Sequence, residues 1–385
     1  MSIPFFIGAI LLILYVFAGY PLLLGWLARL RSRPVRRRAN QPAVSVILAV
    51  HNGERYLARK LDSILALDYP LGKMEILVVS DGSTDGTDGI AQSYAPRGVR
   101  LLRINQGGKA LALNTGIAAS LHEILVFTDV RQTLAPDSLA LLMENLSDPN
   151  VGAASGELVI RKGGSSEEES VGLYWRYEVQ IRRWLSAIDS IFGATGAYYA
   201  LRRELAVPIP AATLLDDVYL PLAAFFRGYR LVVDSRVHMY DDPTSLSDEF
   251  WRKVRTLAGN YQIMQAYPRL LAPGWLGGNR MWFHFASYKL ARLLVPFAFP
   301  VVLAASFGLP PAWRATALAA QATFYALAAF DPLVPEGSKG KRLTSVARTF
   351  VTLMAASACA IVILFAPRVR LWKPTRVGGL DSAET

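Results

Sequence analysis

The sequence is almost devoid of cysteine. Its 385 residues include one, Cys359, within a late apolar stretch. A single cysteine excludes an intrachain disulfide, and we expect neither a zinc site nor a thiol nucleophile. Acidic residues are also scarce, with 30 Asp and Glu against 41 Lys and Arg, which gives a net charge of +11. This basic excess is compatible with binding of nucleic acid, anionic lipid or phosphorylated ligands. The positions of the basic residues must decide between these three classes of ligand.

The densest basic cluster, residues 29–38, directly follows the first long apolar segment. Basic residues at that place are typical of the cytoplasmic side of a membrane span. We therefore interpret the cluster as an anchor for lipid headgroups rather than as a nucleic-acid arm. The aromatic and basic stretch 174–184 has no accompanying recognition motif, so we predict no nucleic-acid partner.

Residues 4–26 are apolar and uncharged, and are long enough to span a bilayer. They lack the basic start and small-residue cleavage site of a signal peptide, so we expect a retained span followed by a cytoplasmic domain.

Residues 275–285 suit an interfacial segment. The basic segment 368–376 would lie outside after four spans, and we expect the stronger N-terminal cluster to set the orientation. The prediction is a multi-pass protein of the cell (inner) membrane, with three further spans at residues 287–307, 313–330 and 346–367.

The central residues 41–265 have mixed charge and regular turns, unlike the anchor region 1–40 and the apolar region 266–385. Alternation of apolar runs with helical stretches predicts βαβ units, an α/β fold and a mostly parallel sheet. Two predicted strands lead into acids, Asp81 and Asp129, at the sheet edge where ligands bind. The predicted strands are residues 44–50, 74–80, 99–104 and 123–128.

Five motifs follow one another in this region. They are Val46-Ile-Leu-Ala-Val-His-Asn-Gly53, Asp81-Gly-Ser-Thr-Asp85, Gly108-Lys-Ala-Leu-Ala-Leu-Asn114, the strand-end Asp129, and Leu215-Asp-Asp217. In order and spacing they resemble the family 2 glycosyltransferases, the inverting enzymes of the GT-A fold. The chain looks most like the membrane-embedded branch that includes the cellulose, hyaluronan and poly-N-acetylglucosamine synthases. The resemblance implies a Rossmann-like, nucleotide-diphospho-sugar transferase domain flanked by transmembrane helices, and a UDP-linked sugar donor.

The resemblance also assigns donor-binding roles. Asp81 would bind the nucleoside. The alternative is that Asp81 only caps the next helix, although Asp85 or Ser83 could do that instead. Lys109, at a glycine-flanked helix start, suits the diphosphate, although it could be a solvated surface lysine. Arg252 and Arg255 lie where processive relatives carry Gln-x-x-Arg-Trp, and at this i, i+3 spacing they could clamp the diphosphate. Only Arg255 matches that motif, which puts processive polymerisation in doubt.

Asp129 stands in the place of the family's Asp-x-Asp motif, which holds Mg²⁺ or Mn²⁺. The third position is Arg131 instead of an acid, so metal use is expected at a weaker site. Arg131 could neutralise phosphate itself, or could pair with Glu157 or another acid.

Asp217 matches the last acid of the family's Thr-Glu-Asp motif and is our predicted general base, with the adjacent Asp216 as its rival. One of the two acids could instead have a purely structural role as a cap at the start of the helix. Farther upstream, Gly196 permits close approach to a sugar, and Tyr198 or Tyr199 could stack on it or pack in the core.

Together these assignments predict a hexosyltransferase that moves a sugar to a membrane lipid or a growing polysaccharide. The alternative is a non-catalytic nucleotide-sugar-binding subunit of a polysaccharide synthesis complex, suggested by the missing second metal acid. Further synthase subunits are possible partners in either case.

Overall fold

The computed structural model describes residues 2–161, 166–242, 246–338 and 340–365. These residues form two units. The sheet unit consists of Ala28–Arg161 and Arg182–Asp241, and the described residues outside these ranges form the helical unit. The predicted basic segment 368–376 lies outside the described residues.

Helices account for most of the helical unit and flank the strands of the sheet unit. Those that the structure describes are α1 (Ser2–Leu14), α2 (Tyr20–Leu30), α3 (Glu54–Leu65), α4 (Thr87–Ser93), α5 (Lys109–Ala119), α6 (Ser138–Leu146), α7 (Ser166–Ile188), α8 (Asp216–Phe226), α9 (Leu246–Ala266), α10 (Trp282–Phe285), α11 (Ala291–Ser306), α12 (Pro311–Phe330) and α13 (Lys341–Cys359).

The sheet unit is built on one mixed sheet of eight strands. They are β1 (Val44–Val50), β2 (Met74–Asp81), β3 (Val99–Ile104), β4 (Ile124–Thr128), β5 (Thr133–Leu134), β6 (Val151–Ile160), β7 (Tyr198–Arg202) and β8 (Arg230–Asp241). Their spatial order is β3-β2-β1-β4-β7-β6-β8-β5. The four predicted strands are β1 to β4, each within one residue of the predicted bounds, so the α/β prediction is confirmed.

The strands β3, β2, β1 and β4 run parallel to one another. Nearly every residue of β1, β2 and β4 is buried, as expected for β-branched and apolar runs covered on both faces. The chain order reverses at β1, which lies between β2 and β4. Such a reversal opens a crevice at the carboxyl ends of the strands, and ligands bind there in open α/β sheets.

The far half of the sheet is mixed. β7 is antiparallel to both β4 and β6, whereas β8 is parallel to β6. The carboxyl end of β8 therefore lies at the same edge of the sheet as the carboxyl end of β4. This relation places Asp241, the last residue of β8, at the ligand-binding edge.

The helical unit contains three helices that are long and apolar enough to cross a membrane, among the residues that the structure describes. Ser2–Leu30 covers the first predicted span and is continuous through a π-helical turn at Tyr15–Gly19. Trp282–Ser306 and Lys341–Leu364 contain most of the predicted spans 287–307 and 346–367. The remaining predicted span, 313–330, is the long helix α12 but is not apolar enough to join them.

The predicted interfacial segment 275–285 is not one amphipathic helix. A short 3₁₀ turn at Gly274–Leu276 and the brief helix α10 are separated by a loop. Trp275 is 80% exposed. Gly277, with φ of +73°, and Gly278 account for the interruption, because glycine disfavours continuation of a helix.

Candidate active site

Asp81 is the buried last residue of β2, and its carboxylate accepts hydrogen bonds from the glycine turn that precedes α5. Gly107 N lies 2.7 Å from Oδ1, and Gly108 N lies 2.9 Å from Oδ2. Gly108 has φ of +86°, a left-handed conformation that glycine adopts without strain. The carboxylate thus holds the turn from which α5 begins, and does not cap α4.

The start of α4 is served by Asp85 instead. Its carboxylate accepts hydrogen bonds from Thr87 N at 3.0 Å and from Glu54 N at 3.1 Å. Burial opposes ionisation, but the hydrogen bonds from Thr87 and Glu54 outweigh it and hold the pKa of Asp85 below its usual value. Asp85 therefore accepts the hydrogen bonds at the start of α4, and the helix-cap alternative for Asp81 is not realised.

Lys109, the first residue of α5, lies among three aspartates. Its Nζ is 3.0 Å from Asp129 Oδ1 and 3.2 Å from Asp216 Oδ1. Burial alone would lower its pKa, but Asp129, Asp216 and Asp217 raise that pKa above the usual lysine value. Lys109 is a bridging cation and not a solvated surface lysine.

Asp216 and Asp217 are the first two residues of α8, and Leu215 is the N-cap residue. Asp216 is buried and bonded to Lys109, whereas Asp217 is partly exposed. Burial, then the negative charges of Asp216 and Asp129, raise the pKa of Asp217 to about 6, against the opposing effect of Lys109. A carboxyl group in this state can exchange a proton near neutral pH.

The loop after β4 carries Asp129 and Arg131. Arg131 Nη2 forms an ion pair with Asp241 Oδ2, and Gln132 Nε2 donates to the same oxygen at 3.0 Å. Glu157 pairs with Arg183 instead. Arg131 thus pairs with an acid other than Glu157, which is within the pairing alternative that the sequence left open. Whether it contacts phosphate stays a prediction.

Two predicted sugar-stacking residues lie in the core. Tyr198 and Tyr199 on β7 are fully buried, and the Tyr199 ring stacks on Phe127 with centroids 4.8 Å apart. Neither ring can reach a bound sugar, so the core-packing alternative is the one realised. Gly196 lies just before them, with its main chain against the Asp217 carboxylate.

Sequence reasoning missed two residues that contact the Asp129 loop. Asp241 ends β8, and the signal that singled out Asp81 and Asp129, an acid at a strand end, could have identified it. Lys60 on α3 is 1% exposed, and its Nζ donates to Gln132 O at 2.8 Å. Burial lowers the pKa of Lys60 to about 7, although Asp129 acts in the opposite direction. Its helical spacing from Leu57, Leu61 and Ile64 places Lys60 on the buried face of α3, and that periodicity could have identified it.

Comparison with known proteins adds to this geometry. The model of the family "Glycosyl transferase family 2" matches residues 45–207. The chain carries a family 2 glycosyltransferase domain. The match includes Asp81, Lys109 and Asp129 and ends before Asp216 and Asp217.

The most informative solved structure is a mannosyltransferase from Pyrobaculum calidifontis in complex with GDP-Man and Mn²⁺. It is 26% identical and has a TM-score of 0.72, and the alignment covers 94% of this chain and 99% of that one. The fold is therefore the GT-A fold, as the resemblance implied.

The chain is also similar to curated glycosyltransferases, of which two are described. A probable glycosyltransferase of Bacillus subtilis, YdaM, is 24% identical over 58% of this chain and 56% of its own length. A beta-monoglucosyldiacylglycerol synthase of Nostoc sp. is 26% identical over 70% of this chain and 60% of its own. This chain thus spans little more than half the length of these curated relatives.

A divalent metal in this glycosyltransferase domain would depend on Asp129. Within the described ranges, no group of three or more His, Cys, Asp or Glu side chains could hold a metal ion. Asp129 is nevertheless 39% exposed at the side chain. Mg²⁺ is commonly bound through one or two carboxylates together with substrate phosphates, so a single exposed carboxylate fits such an ion.

Arg252 and Arg255 lie on α9, in the helical unit. Arg252 forms an ion pair with the buried Glu249 one turn earlier, so its guanidinium already has an anionic partner. Arg255 is partly buried. Their predicted contact with the diphosphate stays a prediction.

Proposed function

We propose that this chain is an inverting glycosyltransferase that moves a hexose from a nucleotide-diphosphate sugar to a membrane lipid or a growing polysaccharide. One observation carries the proposal. Lys109 bridges Asp129 and Asp216, next to an aspartate, Asp217, whose pKa is raised to about 6. A cation for a diphosphate and a base for a hydroxyl group are the two functions that inverting transfer needs.

Asp217 is the general base in this proposal. Its carboxylate takes the proton from the acceptor hydroxyl group while that oxygen attacks the anomeric carbon of the donor. The new bond joins the acceptor oxygen to the anomeric carbon, and the bond from that carbon to the diphosphate oxygen breaks. A single displacement of this kind inverts the anomeric configuration. A positioned base contributes about 10²–10⁴ in rate.

Lys109 stabilises the leaving diphosphate. Its ammonium group is held by two carboxylates at the start of α5, where main-chain N–H groups also favour anions. Asp216 positions this lysine and, being buried and paired, is less suited to take a proton than Asp217. A divalent ion bound at Asp129 would neutralise charge on the phosphates as they depart.

The nucleoside is proposed to bind near Asp81, at the carboxyl end of β2. The solved relative holds GDP-Man, whereas the family resemblance pointed to UDP. Guanine and uracil both carry N–H groups that can donate a hydrogen bond to a carboxylate, so Asp81 alone does not discriminate between the two bases.

The acceptor is proposed to be membrane-bound. Three apolar helices of spanning length support a multi-pass protein of the cell membrane, with the sheet unit in the cytoplasm next to the basic residues 29–38. The Nostoc relative is named for a glycolipid product, which supports a lipid acceptor.

The test is turnover by the full chain, purified in detergent, with a panel of radiolabelled UDP- and GDP-sugars, Mn²⁺ and a membrane lipid extract. Products are separated as lipid-soluble or polymeric. We expect one donor to be consumed by the wild type and by the surface control Asp62→Asn, but not by Asp217→Asn. Binding of nucleotide without turnover of any donor would favour the non-catalytic subunit.

A further inference from the structure

We propose that Arg131 and Asp241 form a clamp, completed by Lys60, that positions the loop carrying Asp129. All three are positioning residues for the transfer reaction, so the inference rests on the proposed function. It gives Arg131 a role that differs from direct contact with the donor.

The clamp holds the loop from the β8 side through side chains. Arg131 and Gln132, which are consecutive, both donate to Asp241 Oδ2. The Asp241 side chain is 3% exposed and that of Arg131 is 16% exposed. An ion pair at this depth is screened little by water, and breaking it by removing one partner leaves an uncompensated buried charge.

The α3 side holds the same two residues through their main chain. Lys60 Nζ donates to Gln132 O at 2.8 Å, and Arg59 Nη2 donates to Arg131 O at 3.3 Å. Lys60 is almost completely buried. The dipeptide Arg131-Gln132 is thus held by two separate elements, through its carbonyl groups by α3 and through its side chains by β8. It begins only two residues after Asp129.

The clamp matters because this site has one carboxylate where its relatives' motif has two. Two acids on a short loop are ordered by the ion they share, whereas a single acid gains no such chelation. The free energy of ordering the loop must then be provided before the donor and ion bind, which is the general advantage of preorganisation. Arg131 suits this role because its guanidinium is directed to Asp241.

The experiment is a double-mutant cycle on Arg131→Met and Asp241→Asn in the full-length protein, with Asp62→Asn at the exposed Asp62–Arg97 pair as control. We measure the donor KM, kcat, and the Mn²⁺ concentration for half-maximal activity. Loss of a residue that orients a metal-binding group costs about 10–100-fold in affinity or activity. The clamp predicts such a loss for each single variant and no further loss in the double variant.

The competing role makes the opposite prediction for Asp241. If Arg131 were a phosphate ligand, Asp241→Asn would free its guanidinium and leave the donor KM unchanged or lower, while Arg131→Met alone would raise it. That result would overturn the clamp. Because either variant could unfold, thermal melting is measured for each. The charge-exchanged variant Arg131→Asp with Asp241→Arg should recover activity relative to both single changes, and failure to recover in a folded protein also counts against the clamp.

Failure of the proposed glycosyltransferase function can be distinguished from failure of the clamp. If the wild type turns over no donor, the cycle is repeated on Mn²⁺-dependent binding of GDP and UDP by calorimetry, where the clamp predicts the same pattern of losses. Equal nucleotide affinity in the wild type and all variants would reject the clamp alone. Absence of nucleotide binding in the wild type would reject both proposals.

Discussion

The main chain at Gly196 runs directly beside the carboxylate of Asp217. A Cβ atom at position 196 would lie 3.0 Å from Asp217 Oδ2 and 3.4 Å from its Cγ. The loop before β7 therefore limits where the proposed base can lie, and glycine is the residue that leaves it room.

Gly196→Ala tests this relationship. The added methyl group should displace the Asp217 carboxylate by a few tenths of an ångström, and misplacement of a reacting group by about 1 Å can cost 10²-fold. We expect kcat to fall roughly 10-fold with little change in the donor KM. Gly72→Ala is the control, because a Cβ there meets nothing within 4 Å. Equal activity of both alanine variants would contradict this placement of the base.

The pH dependence of kcat/KM should show an acid limb near pH 6. Asp217 must be ionised to accept a proton, and burial beside Asp216 raises its pKa to about 6. Activity is therefore expected to be full above this pH and to be lost as pH falls through it. An acid limb near pH 4 would indicate that a different carboxylate acts as base.

Asp217→Asn should stabilise the protein while it abolishes transfer. A carboxyl group with a raised pKa binds its proton more tightly when folded than when unfolded, so its contribution to stability is lost as pH rises through about 6. The amide removes this cost, which is about 1–3 kcal/mol for a shift of this size. We expect a higher melting temperature than wild type at pH 8 and no gain at pH 4. A variant that melts lower at pH 8 would argue against the raised pKa.

Lys109→Met should move the acid limb to higher pH. Lys109 lowers the pKa of Asp217 and bridges Asp129 and Asp216, so its removal leaves three acids without that cation. The donor KM should also rise, because the diphosphate loses a charged partner. Loss of a hydrogen bond to a charged group costs about 1.5–3 kcal/mol, or roughly 10–150-fold. Lys73→Met, at an exposed lysine, serves as the control and should leave both quantities unchanged.

The orientation of the sheet unit can be tested by cysteine labelling, because the only native cysteine is Cys359. Leu71 is 60% exposed in the sheet unit, so Leu71→Cys in a Cys359→Ser background offers a single accessible thiol. A membrane-impermeant maleimide should label it only after the cell membrane is permeabilised. Labelling of intact cells would place the sheet unit on the outer side and contradict the predicted topology.

The sequence alone predicts the elements that are determined locally. The runs 44–50 and 99–104 are β1 and β3 without adjustment. β1 is a continuous apolar run that suits a buried parallel strand, whereas β3 mixes Arg100 and Arg103 with apolar residues, as suits a half-exposed edge strand. Asp81 and Asp129 follow from the same logic, since strand ends in such a sheet meet at one edge.

Long-range pairing was beyond the reach of the sequence. Arg131 and Asp241 are separated by 110 positions, and Glu157 was an equally reasonable acid until the register of β6 and β8 was known. Tyr198 and Tyr199 illustrate a second limit. Their place beside Gly196 in the sequence suggests sugar stacking, but both rings are buried in the sheet, and periodicity does not reveal which side of a strand is covered.

The hydrogen bonds from Gly107 and Gly108 to Asp81 have one more consequence. Gly107 and Gly108 donate to the Asp81 carboxylate, and Gly108 is joined directly to Lys109 in the chain. If Asp81 binds the nucleoside and Lys109 binds the diphosphate, as proposed, we expect each ligand to change the geometry of this glycine turn. The two halves of a nucleotide would therefore sense each other through a single residue link. We therefore expect free nucleoside to change the affinity for inorganic pyrophosphate, and pyrophosphate to change the affinity for nucleoside by the same factor.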